Sequence, residues 1–142
     1  MALELMPWRV CESHYIKKVE RDPAKIQALV KAADARCIHL SSQSVTSKNV
    51  SFITEGYYEV IKELLSALLL SHGMRSSNHQ CLISFFAKMY MQYEADAHFI
   101  VRLSFLRNRL NYYGELIDLA FYEQHKEDID KVIKLLQSLL IT

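Results

Sequence analysis

The densest chemistry in the chain lies in Leu106-Arg107-Asn108-Arg109-Leu110-Asn111-Tyr112-Tyr113-Gly114. Two guanidinium groups, two carboxamides and two phenols are gathered at the end of an expected helix, and a glycine stops that helix. Guanidinium groups fork onto phosphates or carboxylates, and phenols stack on bases or donate hydrogen bonds. Arg107 follows Leu103 by four residues and precedes Leu110 by three, so it borders the apolar stripe, where a cation is partly desolvated. Asn108 and Tyr112 are four apart and share a face. Arg107 and Tyr112 are five apart, which in a continuous helix separates them by roughly 140° at 3.6 residues per turn. They converge in one chain only if the helix loosens before Tyr112. In the alternative reading Arg107 caps the last carbonyls of its helix and the tyrosines pack in the core.

No other segment offers an equally concentrated site. The histidines are His14, His39, His72, His79, His98 and His125. None has HExxH spacing, and no CxxC pair exists. His79 and Cys81 are two apart near a helix start, a poor basis for zinc. Three glycines cannot build a phosphate-cradling loop. The reading therefore includes no metal and no cofactor. Tyr57-Tyr58 and Tyr112-Tyr113 suit a core or an interface as well as a base stack. Lys126, Lys131 and Lys134 alternate with Glu127, Asp128 and Asp130 as on a solvated helix face.

The elements that must position these residues read as helices. Residues 1–21 carry Val10, Tyr15, Ile16 and Val19 at helical spacing. Asp22-Pro23 forms an N-cap and a first-turn proline. Ile26, Leu29, Val30, Ala33, Cys37 and Leu40 then predict an amphipathic helix over about 23–41. A polar connection of serines, Thr46 and Asn49 follows. The helix predicted over about 52–72 is apolar around much of its circumference, as a central helix is, and Gly73 suits its end. Ser77 and Gln80 have capping-box spacing for a helix over 78–92. A further helix over 95–113 carries Phe99, Ile100, Leu103, Leu106, Leu110 and Tyr113. Whether 78–113 is one bent helix or two is left open by the pattern. Residues 115–122 are ambiguous, and a last helix over 123–141 buries Ile129, Val132, Ile133, Leu136, Leu139 and Leu140.

Composition sets outer bounds. The 142 residues suit a single domain, 1–142, with one sizeable core, and 51% are hydrophobic, which argues against disorder. With only 3 glycines and 2 prolines, long helices are favoured over many short strands. The expected fold is all-α, an antiparallel bundle of about five helices. A net charge of +1 supplies no global field for nucleic acid, so binding would need a local patch. Three widely spaced cysteines argue against a disulfide framework and for a reducing compartment. Met1–Trp8 lacks the pattern of a secretory signal, and Ala67–Leu70, the longest apolar run, is far too short to span a bilayer. The expectation is a cytoplasmic protein without a membrane association.

Three segments together resemble the HEPN superfamily, small all-α domains often paired with nucleotidyltransferases in prokaryotic toxin–antitoxin systems. Gly56-Tyr57-Tyr58-Glu59-Val60-Ile61-Lys62-Glu63-Leu64-Leu65-Ser66-Ala67-Leu68-Leu69-Leu70 resembles the family's central helix. Gly73-Met74-Arg75-Ser76-Ser77-Asn78-His79-Gln80 resembles the turn after it, with its histidine. Arg107-Asn108-Arg109-Leu110-Asn111-Tyr112 resembles the signature near the end of a later helix. The likeness covers roughly residues 52–141. In ribonuclease members that signature is arginine, a polar residue, three variable positions and histidine, and two subunits bring it together for metal-independent RNA cleavage. Arg107 matches the arginine and Asn108 the polar residue, but Tyr112 stands where histidine would be. A phenol, with an ordinary pKa near ~10, is a poor general base at neutral pH.

The resemblance implies a homodimeric module that interacts with nucleotide or RNA and works with a separate nucleotidyltransferase chain. Arg107 and Arg109 would contact phosphate, Asn108 would bond ligand or orient Arg107, and Tyr112 would stack or donate. One alternative is a metal-independent endoribonuclease using Arg107, Asn108 and Tyr112 at a dimer interface. Another is a non-catalytic protein-interaction domain.

Overall fold

The computed structural model describes residues 4–141. Met1, Ala2 and Leu3, part of the segment weighed for a signal, lie outside the described residues. Six helices make up most of the chain: α1 (Trp8–His14), α2 (Pro23–Ser41), α3 (Val50–Ser71), α4 (His79–Met89), α5 (Glu94–Tyr113) and α6 (Leu119–Leu139). The fold is the expected all-α bundle, with one helix more than about five.

The extra helix comes from the first twenty residues. α1 ends at His14, and the chain then extends so that β1 (Lys17–Lys18) pairs antiparallel with β2 (Met74–Arg75). Tyr15, Ile16 and Val19 are therefore not helical, contrary to their spacing. Gly73 permits this pairing. It adopts φ +74°, and a Cβ there would lie 3.3 Å from the Val19 carbonyl oxygen. The Val19 N–H donates to the Gly73 carbonyl at 2.9 Å, closing the arm.

α2 begins and ends where Asp22-Pro23 and the serine-rich connection predict. The Asp22 carboxylate accepts from the Lys25 N–H at 3.1 Å. The helix runs antiparallel to α3: Arg36 meets Glu63 at 2.8 Å, and Leu40 packs over Gly56. α3 is the central element, with most of its length buried from Val50 to Leu70. Side chains such as Ile61, Leu64, Phe85 and Ile129 are fully enclosed, and each contributes about 1.5–3 kcal/mol through burial. α6 closes the opposite side. The Lys126 ammonium stands 4.9 Å from the centre of the Tyr57 ring, and Gln137 donates to Asp34 on α2 at 3.0 Å.

The 78–113 region is two helices. α4 stops at Met89, Tyr90 leaves helical geometry at φ −128°, ψ 65°, and a 3-10 turn over Met91–Tyr93 leads into α5. The cap of α4 also differs from expectation. Asn78, not Ser77, is the N-cap, and its side-chain oxygen accepts from the N–H groups of Gln80 and Cys81 at 3.0 and 3.3 Å. A carboxamide that reaches two orphan donors outcompetes a serine one residue earlier.

One disulfide corrects the cysteine reading. Cys11 on α1 is bonded to Cys81 on α4 across 70 residues, leaving Cys37 free. Both bonded residues are fully buried. With Trp8 packed against Phe85 at 5.6 Å between ring centres, the bond ties α1 to α4. Among the described residues, no helix is long and apolar enough to cross a membrane.

Candidate functional site

Arg107 is reached by building outward from α3. That helix turns Tyr58, Glu59 and Lys62 toward the region where α5 passes and α4 begins. Tyr58 is buried, and its hydroxyl donates to Ser104 on α5 at 3.4 Å. Ser104 Oγ also accepts from Gln80 Nε2 at 2.8 Å, so the first turn of α4 is fastened to α5. Burial pushes the Tyr58 phenol's pKa up, against the opposing pull of the Ser104 bond and the Arg107 cation.

One turn along α5 from Ser104, Arg107 is only 21% exposed. Its Nη2 lies 3.6 Å from Glu59 Oε1, its Nη1 lies 3.4 Å from Asn108 Oδ1, and its guanidinium carbon lies 5.9 Å from the Tyr58 ring centre. Both polar contacts are long for charge-assisted bonds, which ordinarily fall near 2.7–2.9 Å. The closer partner of Glu59 is Lys62, at 2.6 Å. Arg107 Nε is buried and has no hydrogen-bond partner among the described residues. A buried N–H left without an acceptor costs roughly 1–3 kcal/mol.

His79 joins this group at the start of α4. Burial lowers its pKa, and the nearby Lys62 and Arg107 cations lower it further, against the opposing effect of Glu59. Its imidazole is therefore held neutral at pH 7. Three helices thus converge on a cluster of Arg107, Lys62, Glu59 and His79. Its formal charge is +1, made of two cations and one carboxylate. The arrangement can accept an anion at Arg107 and Lys62 and exchange a proton at His79.

The other residues singled out in the sequence are placed differently. Asn108 stays beside Arg107. Arg109 turns away: its guanidinium pairs with Glu115 at 2.6 Å and lies 4.6 Å from the Tyr113 ring centre. α5 remains helical through Tyr113, so within one chain Tyr112 does not swing toward Arg107. Tyr112 is 74% exposed and Tyr113 67%. The stop itself is as expected, with Gly114 in the left-handed region at φ 64°. Arg107 does not cap its helix, and the Tyr112-Tyr113 pair does not pack in the core, so the capping alternative does not hold. Tyr57-Tyr58 is buried, as the core reading has it.

Glu59, Lys62 and His79 were not connected with Arg107 by sequence reasoning. Glu59 and Lys62 stand within the segment likened to a central helix, and His79 within the turn that follows. Order along the chain was the only signal that they belong together. Cys81, weighed with His79 as a zinc ligand, is engaged in the disulfide. No family model matches the chain, and neither a curated protein nor a solved structure matches it.

Proposed function

We propose that this chain is a HEPN-like module that interacts with nucleotide or RNA through Arg107 and Lys62. The observation that carries the reading is the partly exposed Arg107 guanidinium, held only by long contacts to Glu59 and Asn108, beside a second cation and a neutral imidazole. A phosphate would fork onto the guanidinium's Nη groups, whose contacts to Glu59 and Asn108 are long, and would compete with Glu59. Asn108 would orient the guanidinium. Arg109 would contribute through the field near the helix end, since its fork is taken by Glu115.

The exposed Tyr112, Tyr113 and Leu116 at the α5–α6 turn support a homodimer in which a second copy covers this patch. A separate prokaryotic nucleotidyltransferase, as in a toxin–antitoxin pair, is the partner implied by the family resemblance. The Cys11–Cys81 bond removes the ground on which a cytoplasmic setting was expected, because structural disulfides persist chiefly in oxidising compartments. The test is titration of a short single-stranded RNA into the wild type and Arg107→Ala. Equal affinities would reject the reading and favour a purely protein-interacting domain.

One observation favours a second reading, a metal-independent endoribonuclease. His79 offers an imidazole that is already neutral at pH 7, lowered in pKa by burial and by Lys62 and Arg107, and so free to accept a proton as Tyr112 is not. It would take the proton of a ribose 2′-hydroxyl as that oxygen attacks phosphorus, with Arg107 and Lys62 on the phosphate oxygens. The 5′-oxygen would leave with a proton from water. Cleavage in the presence of a chelator, lost in His79→Gln and Arg107→Ala but kept in Tyr112→Phe, would establish it.

A further inference from the structure

A concavity lies where the β1–β2 arm folds over the start of α2 and the end of α3. It encloses about 580 Å³ and shares no residue with the Arg107 cluster. That size falls within the range of small-molecule sites. Its walls come from separate stretches of chain, so its shape depends on the tertiary fold. Lys17 stands on β1, Arg75 is its cross-strand partner on β2, and Lys25 lies in the first turn of α2. Among the described residues, none of these three cations has a carboxylate partner within ion-pair distance.

The deeper surface is apolar. Leu29 from α2, Leu69 from α3 and Leu82 from α4 line it. Two carboxylates also line the cleft. Asp22 is engaged as the cap of α2, and Glu20 stands at the rim. The lining therefore carries three cations against two carboxylates, with an apolar interior behind them. The three exposed cations outnumber the two carboxylates of the lining, and an anion placed among them offsets the excess positive charge. An apolar body attached to the anion would lie against Leu29 and the enclosed Leu69 and Leu82 and contribute through burial of its own surface.

We propose that this cleft binds a small amphiphilic anion, with its carboxylate or phosphate head among Lys17, Lys25 and Arg75 and its apolar or planar body against the leucines. The proposal is independent of the Arg107 reading. Binding weakens as ionic strength rises, because the cations are at the surface.

Calorimetric titration of the full chain tests it with four probes: octanoate, adenosine monophosphate, acetate and inorganic phosphate. The expected result is that octanoate or adenosine monophosphate binds with a Kd below roughly 1 mM. Whichever binds identifies the source of the head group. The corresponding head alone, acetate or phosphate, binds at least about tenfold more weakly. The Lys25→Ala/Arg75→Ala double variant, with both side chains at the exposed surface, lowers affinity for octanoate at least about tenfold while Arg107→Ala leaves octanoate binding unchanged. Circular dichroism and melting of the double variant confirm that it folds, and Lys25→Glu alone gives the same direction of change. Absence of binding by both amphiphiles up to roughly 5 mM overturns the proposal. So does equal affinity for a bare head group, or binding that the double variant leaves intact.

Discussion

The guanidinium of Arg107 on α5 and the carboxylate of Glu59 on α3 lie 3.6 Å apart, while the same carboxylate lies 2.6 Å from the Lys62 ammonium. Glu59 thus serves two cations and satisfies Arg107 only loosely. An incoming phosphate would meet both cations and would be opposed by the carboxylate between them. Glu59→Gln therefore strengthens RNA binding about threefold, the direction expected when a competing charge worth roughly 0.6 kcal/mol is removed. An anisotropy titration at fixed salt reads this change. Weaker binding in Glu59→Gln would place the ligand elsewhere.

His79 makes stability depend on pH. Its folded-state pKa lies below the unfolded value of 6.5, so the unfolded chain binds the proton more readily. The neutral imidazole's contribution is fully present above pH 6.5 and is lost as pH falls through the lower folded pKa. Denaturant midpoints measured between about pH 7.5 and pH 5 should fall, and His79→Gln should flatten part of that fall. A phosphate bound beside Arg107 should raise the imidazole pKa, which an NMR titration of the ring protons would detect. An unchanged pKa on RNA addition would separate His79 from the ligand.

Closing 70 residues of chain, the Cys11–Cys81 bond restricts the unfolded state. The chain-entropy relation puts this at about 4 kcal/mol. Cys11→Ser should lower the unfolding free energy by an amount of that order. Unreduced, denatured protein should show a single reactive thiol, that of Cys37. Three reactive thiols under those conditions would contradict the bond.

Gly56 separates two effects that usually agree. In a helix interior, alanine in place of glycine gains about 1 kcal/mol in propensity. Here the added Cβ would lie 2.6 Å from Leu40 Cδ2 and 3.0 Å from its Cδ1, and Leu40 is buried. Displacing a packed leucine costs about 1–3 kcal/mol, so the packing loss prevails. Gly56→Ala should be less stable by about 1 kcal/mol, measured by urea unfolding.

Much of the fold could be read locally because local chemistry decides it. Asp22-Pro23 marks the start of α2 through a cap and a proline, and Gly114 marks the end of α5 through its backbone freedom. The all-round apolar pattern of α3 identifies the central helix. Features that depend on distant chain were not legible. The two-residue strands Lys17–Lys18 and Met74–Arg75 are too short to show alternation, and they exist only because Gly73 lets the arm approach. The break at Tyr90 carries no proline or glycine. The Cys11–Cys81 pairing requires α1 to land on α4. Within the candidate site, Arg107 and Asn108 were visible as a dense polar helix end. Their relation to Glu59, Lys62 and His79 arises from the packing of α3, α4 and α5, which no spacing within one helix records. Tyr112 was grouped with Arg107 by position along the chain, and the unbroken helix through Tyr113 keeps the two on different faces.

The measurement that bears most directly on the site is fluorescence anisotropy of a short single-stranded RNA against the wild type and Arg107→Ala across a salt series. The wild type should bind. Arg107→Ala should bind at least about tenfold more weakly, and its slope of log affinity against log salt should be shallower by about 0.7, as expected when one phosphate of a single strand is no longer neutralised. Matching affinities and slopes for the two proteins, or no binding by the wild type at millimolar concentration, would contradict Arg107 as the phosphate-binding residue.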